Sequence, residues 1–433
     1  MFENALGYTL IKADRVIDGE GGYPIKKGAV LVRDGDVIAL GNQDSIVPDG
    51  KEPLLTFEYP GMTLMPGLVD AHTHHNGFGD GRPGDDLADV PDEILTLQSA
   101  RNARLSLFSG VTTIRENGPK NATTLRLRDA LTMGTTVGPK MVLCGQAVAI
   151  IGGHMSYFGI ESTGLRDARA YTRQLIKEGA DYIKITATGG STKTSFRLRP
   201  SFNIDELSAI VDEAHKFGKL TAAHCTSTQG ISNSLDAGID MIIHCVFKEP
   251  DDSNKFRKDL VDRIGEQEVF VNPTLHVSRA GIWSLENKKL KDGLNREDQT
   301  ELDNRRREFE HRLDDCRRMI DMGVKVVTGS DSSWGDYPLG NTHLETECLV
   351  MAGYSPMQAV LSVTRESASS IGVGNLTGTL KPGKRADMII VDGNPDENIP
   401  DLSNVVEVFL DGNKVDRGNQ KSLSENRQLD PNL

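Results

Sequence analysis

Apolar positions are spaced differently along different parts of this chain. Over the first sixty residues short runs read as strands: YTLIKADRVI, then GAVLVRDGDVIALG, broken at Arg33-Asp34-Gly35-Asp36. An Asp-Gly pair between alternating apolar residues is a two-residue hairpin signal. The same texture returns in GTLKPGKRADMIIVDGNP and VVEVFLDGNKV, where Asp392-Gly393 and Asp411-Gly412 are turn dipeptides. Between these ends, strand-length apolar runs alternate with stretches of helical period. In NIDELSAIVDEAHKFG, Leu207, Ile210, Val211 and Ala214 share one helical face, and Asn203 with Glu206 predicts a capping box. Eight strands are expected at 64–71, 111–115, 140–145, 182–186, 220–224, 241–244, 269–272 and 325–330. Gly179, Gly218, Gly238 and Gly323 precede four of them, as helix-terminating glycines do. Residues 295–322 are heavily charged and predict a long solvated helix. The pattern predicts an α/β fold: a (β/α)8 TIM barrel over 63–375 and a small β-sandwich domain built from both chain ends, 1–62 and 376–420. A polar tail, 421–433, is left over.

Chemistry gathers at the ends of these expected strands. His72 and His74 lie in LMPGLVDAHTHH. Residues two apart on a strand point the same way, so both imidazoles can grip one ion. GADYIKITATGG carries Lys184, KLTAAHC ends near His224, GIDMIIHC ends near His244, and GVKVVTGSD ends at Asp331. Each places a polar, metal-competent side chain at the strand end where a (β/α)8 enzyme keeps its active site. Taken singly they have plain structural readings. An HxH can be a surface turn, a lysine can snorkel from an edge, a histidine can be a satisfied core residue, and Asp331 before Ser332 and Ser333 can cap a helix. Together, in this order, they point to a metal centre.

The order HxH, Lys, His, His, Asp resembles the amidohydrolase superfamily. Within it, it is similar to the branch of imidazolonepropionase-like enzymes and metal-dependent Xaa-Pro and Xaa-Arg dipeptidases, over roughly residues 29–412. The resemblance implies two divalent metal ions on His72, His74, Lys184, His224, His244 and Asp331. Imidazole and carboxylate donors suit Zn2+. Lys184 would bridge the ions after CO2 carbamylates its amine, which must first be neutral; desolvation and nearby cations favour that. Asp331 would act as general base and then general acid. The implied activity is hydrolysis of a C–N amide bond, in a dipeptide or N-acyl amino acid, by a water that the ions activate to hydroxide. The alternatives are a cyclic amide hydrolase of lactam or imidazolone type, a heterocycle deaminase, and an inactive binding paralogue. Mononuclear deaminases usually lack the strand-four lysine, and inactive paralogues typically lose ligands.

Substrate contacts are less sharply marked. His154, in AVAIIGGHMSYFG, resembles the loop histidine that contacts the substrate carbonyl or oxyanion in relatives, and reads equally as a loop surface residue. His276, in NPTLHVS, is a weaker candidate of the same kind. Relatives often carry an aromatic or histidine shortly after the fifth-strand ligand to grip a carboxylate; Thr226 and Ser227 stand there in this chain. Lys193, Arg197 and Arg199 cluster in GGSTKTSFRLRP and could bind a substrate carboxylate, form a solvated loop or make a subunit contact. His75, His215, His311 and His343 read as structural or exposed.

Composition narrows the partners. A net charge of −13 argues against nucleic acid and anionic membranes and leaves a small-molecule substrate. No apolar run spans a bilayer, and the N-terminus has neither a basic start nor a secretory core, so a cytoplasmic protein is expected. Five cysteines, an odd number in mostly strand-like contexts, predict reduced thiols. The resemblance implies a homo-oligomer.

Overall fold

The computed structural model describes residues 7–48, 50 and 54–418. The expected tail at 421–433 lies outside them. The chain ends build one mixed sheet. Its strands are β1 (Tyr8–Val16), β2 (Ile25–Arg33), β3 (Asp36–Asn42) and β4 (Leu54–Pro66) from the start of the chain. The central strands, β5 to β13, are described below. From the far end of the chain come β14 (Met388–Val391), β15 (Val405–Leu410) and β16 (Asn413–Lys414). Asp34 and Gly35 both take positive φ, 54° and 84°, which gives the two-residue hairpin the Asp-Gly pair predicts. The pairing of these strands does not by itself show the expected sandwich. They join one seven-stranded sheet in the order β16-β15-β14-β4-β1-β2-β3. β4 splices both groups into one ladder: Leu54 to Tyr59, Thr63 and Leu64 pair with β1, and Thr63 to Pro66 pair with β14.

The central strands are parallel. One three-stranded sheet holds β5 (Leu68–Thr73), β6 (Val111–Glu116) and β7 (Lys140–Leu143). A six-stranded sheet, β13-β12-β11-β10-β8-β9, holds β8 (Val148–Ile150), β9 (Ile160–Ser162), β10 (Ile183–Ile185), β11 (Thr221–His224), β12 (Met241–Ile243) and β13 (Phe270–Asn272). Side-chain parity is plain. Val69, Ala71, Tyr182, Ala222, Met241, Ile243 and Val327 share one buried cluster. Their neighbours Ile183, Ala223 and Ile242 pack the other way, against Leu207, Ile210 and Val211 of the helix Ile204–Lys216, which starts on the expected Asn203–Glu206 capping box.

Three expected strands are redrawn. Residues 64–66 belong to β4, and the first central strand begins only after Gly67, where a Cβ would sit 2.2 Å from Thr112 Oγ1. The run at 140–145 bends at Gly145 (φ 69°) and resumes as β8. The run at 325–330 is not a named strand. It makes a single bridge, Val271 with Val326, and a second forms just beyond it, Thr73 with Ser332. Its backbone still bonds on both sides: Val327 N–H donates to Val271 O at 2.9 Å, and Ala71 N–H to Thr328 O at 3.1 Å. Among the described residues no helix is long and apolar enough to cross a membrane. All five cysteines are free and buried.

Candidate metal centre

The strand ends bring the candidate ligands to one floor. His72 Nε2 lies 3.1 Å from His74 Nε2, and the two lie 3.3 and 3.2 Å from Asp331 Oδ1. Asn272 Oδ1 sits 3.0 Å from His72 Nδ1, so the proton belongs on Nδ1 and the lone pair of Nε2 faces the triangle. An imidazole lone pair and a carboxylate oxygen converging at such distances fit a divalent cation. The three residues form a compact donor group, within 4.8 Å.

His224 and His244 face each other beside this trio, with ring centroids 4.5 Å apart, and the His244 ring is 5.7 Å from His72. His224 Nε2 donates to Gly189 O at 3.0 Å, which leaves Nδ1 bare. Lys184, 1% exposed, lines the same cavity. Burial pulls its ammonium down to about 7, Arg115 pushes the same way, and Asp331 opposes. Burial likewise holds His72 and His224 well below the usual imidazole range and brings His244 and His154 to about 3. Neutral imidazole is the form that ligates. For Asp331, burial pushes the carboxyl up. The hydrogen bond with His74 and the neighbouring His244 and Lys184 outweigh it, so the group lies below its ordinary value.

Backbone geometry aims these side chains. His244 and Asp331 both adopt left-handed φ, 66° and 58°, immediately past their strand runs. Such a residue costs on the order of 1–3 kcal/mol and persists where its surroundings hold it. His244 N–H donates to Asn272 O at 2.8 Å and Asp331 N–H to His72 O at 2.7 Å. Histidine and aspartate are among the side chains that tolerate this region best.

His154 reaches the site from the loop after β8. Its ring is 4.3 Å from that of His224 and rests on Gly190, where a Cβ would come within 2.6 Å of it. Thr192 Oγ1 accepts from Met155 N–H at 2.9 Å and lies 3.1 Å from His154 Nδ1.

A family model described as the amidohydrolase family matches residues 63–415, which takes in every candidate ligand. The chain belongs to this family. It is a hydrolase acting on carbon–nitrogen bonds. It is 25% identical to an ochratoxinase from Aspergillus niger over 90% of this chain and 82% of that one. It is 24% identical to an enamidase from Eubacterium barkeri over 89% and 86%. Among solved structures, a Xaa-Pro dipeptidase with methionine bound in its active site superposes with a TM-score of 0.80, at 26% identity over 94% of this chain and 100% of that one.

In this amidohydrolase the floor opens into a cavity of about 920 Å³, the size of a small-ligand site. Of the expected basic cluster only Arg197 lines it. Lys193 instead pairs with Asp86 at 3.2 Å, and the Arg199 guanidinium lies 6.0 Å from the Phe196 ring centre. His276 does not line it. That ring is buried against Tyr337, 4.4 Å between centroids, and accepts from Arg279 Nε at 2.8 Å. His75 is structural, bonded through Nδ1 to Glu116 at 2.9 Å, and His215 pairs with Asp240 at the surface. Thr226 lines the cavity, but its hydroxyl donates to the carbonyls of Gly189 and Arg197, both at 2.9 Å.

The helix expected to be solvated has a second role. It runs Arg296–Asp321, and Glu301, Asn304, Arg305, Glu308 and Arg312 form part of the cavity wall. The spacing 301, 305, 308, 312 is one helical face. Tyr157, Trp334, Lys248 and Asn272 also escaped the sequence reading. Trp334 packs on His74, 5.1 Å between centroids. Lys248, Arg305 and Arg82 are each ion-paired, to Asp252 and Glu308, to Glu301, and to Asp80. Arg312 is engaged by carbonyls and hydroxyls. Outside the metal-centre residues, Arg197 is the cavity-lining cation whose head group has no described partner.

Proposed function

We propose that this amidohydrolase is binuclear and cleaves an amide bond beside a free carboxylate, in a dipeptide or an N-acyl amino acid. The carrying observation is the convergence of His72, His74 and Asp331 beside Lys184 and the His224–His244 pair on one cavity floor. His72, His74 and Asp331 would hold one ion, His224 and His244 would hold the other, and a carbamylated Lys184 would offer a carboxylate to both. When bound, the ions, Zn2+ on this donor set, polarise the scissile carbonyl and lower the pKa of a water towards neutrality. Asp331, ionised at neutral pH, takes the proton of the attacking water and passes it to the leaving nitrogen. His154, which lines the cavity, would donate a ring N–H to the carbonyl oxygen as negative charge builds there. The likeness to a Xaa-Pro dipeptidase over nearly the whole chain supports a substrate of dipeptide size. The frame of this reading is a closed (β/α)8 barrel over 63–375, supported by the bonds that residues 325–332 make to β13 and β5. A small domain of 1–62 and 376–420 completes it.

Elemental analysis of protein purified without chelator should find about two divalent ions per chain. A value that stays near one after metal is added back defeats the bridge. A screen over N-acyl amino acids, dipeptides, lactams and imidazolones should give linear substrates as the best; cyclic amides turning over faster would move the reading to a cyclic amide hydrolase.

Arg197 sets the expected preference. A charge-assisted hydrogen bond to a substrate carboxylate corresponds to about a tenfold to hundredfold gain in kcat/KM. Substrates with a free carboxylate should therefore outrun their neutral amide analogues by about that factor. Arg197→Ala should erase most of the ratio and Arg199→Ala little of it. Equal effects of the two variants, or none, would leave the carboxylate without this anchor.

A further inference from the structure

Strand β13 supplies none of the proposed metal ligands, yet its end touches two of them. Asn272 Nδ2 donates to Gly329 O at 3.0 Å and to Val327 O at 3.4 Å. Both amide hydrogens are thereby committed, so Oδ1 must be the atom facing His72 Nδ1 at 3.0 Å, and it can only accept. Gly329 makes room for this amide: a Cβ there would lie 2.7 Å from Asn272 Nδ2. Two residues on, Thr274 Oγ1 lies 2.6 Å from His244 Nδ1. Arg312 also directs Nη2 at that hydroxyl, at 3.5 Å, so the oxygen is placed among donors. His72 and His244 are the proposed ligands of different ions, and one three-residue segment, Asn272-Pro273-Thr274, reaches both.

The segment is clamped from two sides, by Arg312 and by Glu345. Thr274 is left-handed, φ 50°. Arg312 donates to its carbonyl at 3.3 Å, to Ser278 Oγ at 2.8 Å, and to the carbonyl of Pro273. Glu345, fully buried, accepts from Leu275 N–H at 2.9 Å and His276 N–H at 2.6 Å. Carbonyls thus meet the Arg312 guanidinium, and amides meet the Glu345 carboxyl, which burial pushes up to about 8. A charge-assisted bond is about twice as strong as a neutral one. A strained turn held this way has one position, and so has the hydroxyl on it.

Resting on the two-ion reading, we propose that the end of β13 is a shelf that positions both ions at once. Asn272 fixes the Nδ1–H tautomer and ring orientation of His72. Thr274 does the same for His244, with Arg312 and Glu345 holding the shelf. These are positioning residues: they act through the histidines.

The test is Zn2+ affinity, measured by chelator competition on the full-length protein, with the Co2+ absorption spectrum as a second readout. Asn272→Leu and Thr274→Val keep side-chain volume and remove the polar contact. Each should weaken one of the two ions by about 10–100-fold and spare the other, the usual effect of losing a ligand's hydrogen-bond partner. Thr274→Ser, which keeps the hydroxyl, should bind as wild type does. Leu and Val variants that bind both ions with wild-type affinity overturn the shelf, and so does a Ser variant as weak as the Val one. Should Thr274→Val fail to fold, Asn272→Leu against Asn272→Asp, which keeps an acceptor, decides on the same terms. A wild-type protein that takes up a single ion would instead sink the two-ion reading, a different failure.

Discussion

Lys184→Ala should drive turnover below detection, and added formate, acetate or propionate should restore part of it. The argument begins with burial. Lys184 is 1% exposed, and burial lowers its ammonium to about 7 with help from Arg115 against the opposing Asp331. The Arg115 guanidinium is itself fixed there, donating to Ala71 O at 2.8 Å and lying 4.9 Å from the Tyr182 ring centre. Near neutrality a large fraction of the Lys184 amine is therefore uncharged. An uncharged amine adds to CO2, forms the N–C bond and releases one proton, leaving a carboxylate on a lysine stem. The sign follows: reloading of stripped enzyme with bicarbonate and metal should improve as pH rises through about 7. Alanine has no amine to modify, so the proposed bridge would be lost with it. A short carboxylic acid can occupy the vacated space and supply the missing oxygens. Metal content should fall with activity and recover with the acid. Carbon-13 NMR showing a bare amine in active, metal-loaded protein would end the idea, as would an alanine variant with appreciable turnover.

Much of this floor was legible in the sequence for one reason: a strand's C-terminal end is a fixed place in three dimensions. HxH, Lys184, His224 and His244 each close an apolar run, and parity says which way they point. The same signal stands at Asn272, a polar residue ending the run before Pro273, but asparagine is not a typical ligand and its type alone does not mark it. Other parts were not legible. An apolar run announces burial but not its sheet, so residues 64–66 went to the wrong one. The segment 325–330 reads as a strand, yet its left-handed exit at Asp331 and its single bridge leave no regular ladder. The charged helix was read from its composition. Its buried stripe, Leu302, Phe309, Cys316 and Met319, shows that one side packs on the core. Residues flanking such a stripe meet whatever lies at its edge, which here is the cavity. Arg197 and Arg199 are two apart in one loop, and nothing local says which turns inward. His276 had the residue type of a contact but sits one position inside the helix Leu275–Lys291, where its side chain turns to Arg279 and Tyr337.

Asp331→Asn should lower kcat by about 10²–10⁴-fold while KM and metal content change little, the usual worth of one positioned acid–base group. Asparagine is the informative replacement for two reasons. Asp331 sits at φ 58°, a region asparagine enters readily and alanine does not, so the turn should survive. The amide also keeps an oxygen where Asp331 Oδ1 lies, 3.2 Å from His74 Nε2 and 3.3 Å from His72 Nε2, so a ligand remains. What is lost is a group that can take up a proton and give it back. In the wild type the hydrogen bond with His74 and the neighbouring His244 and Lys184 outweigh burial and hold the carboxyl below its ordinary value, ready to accept. A loss confined to kcat at full metal content assigns proton transfer to Asp331. A variant that keeps near-full turnover with its metals would mean that another group moves the proton. A variant that loses its metal would mean that the carboxylate matters first as a ligand, and the kcat loss would then recover as metal is added in excess.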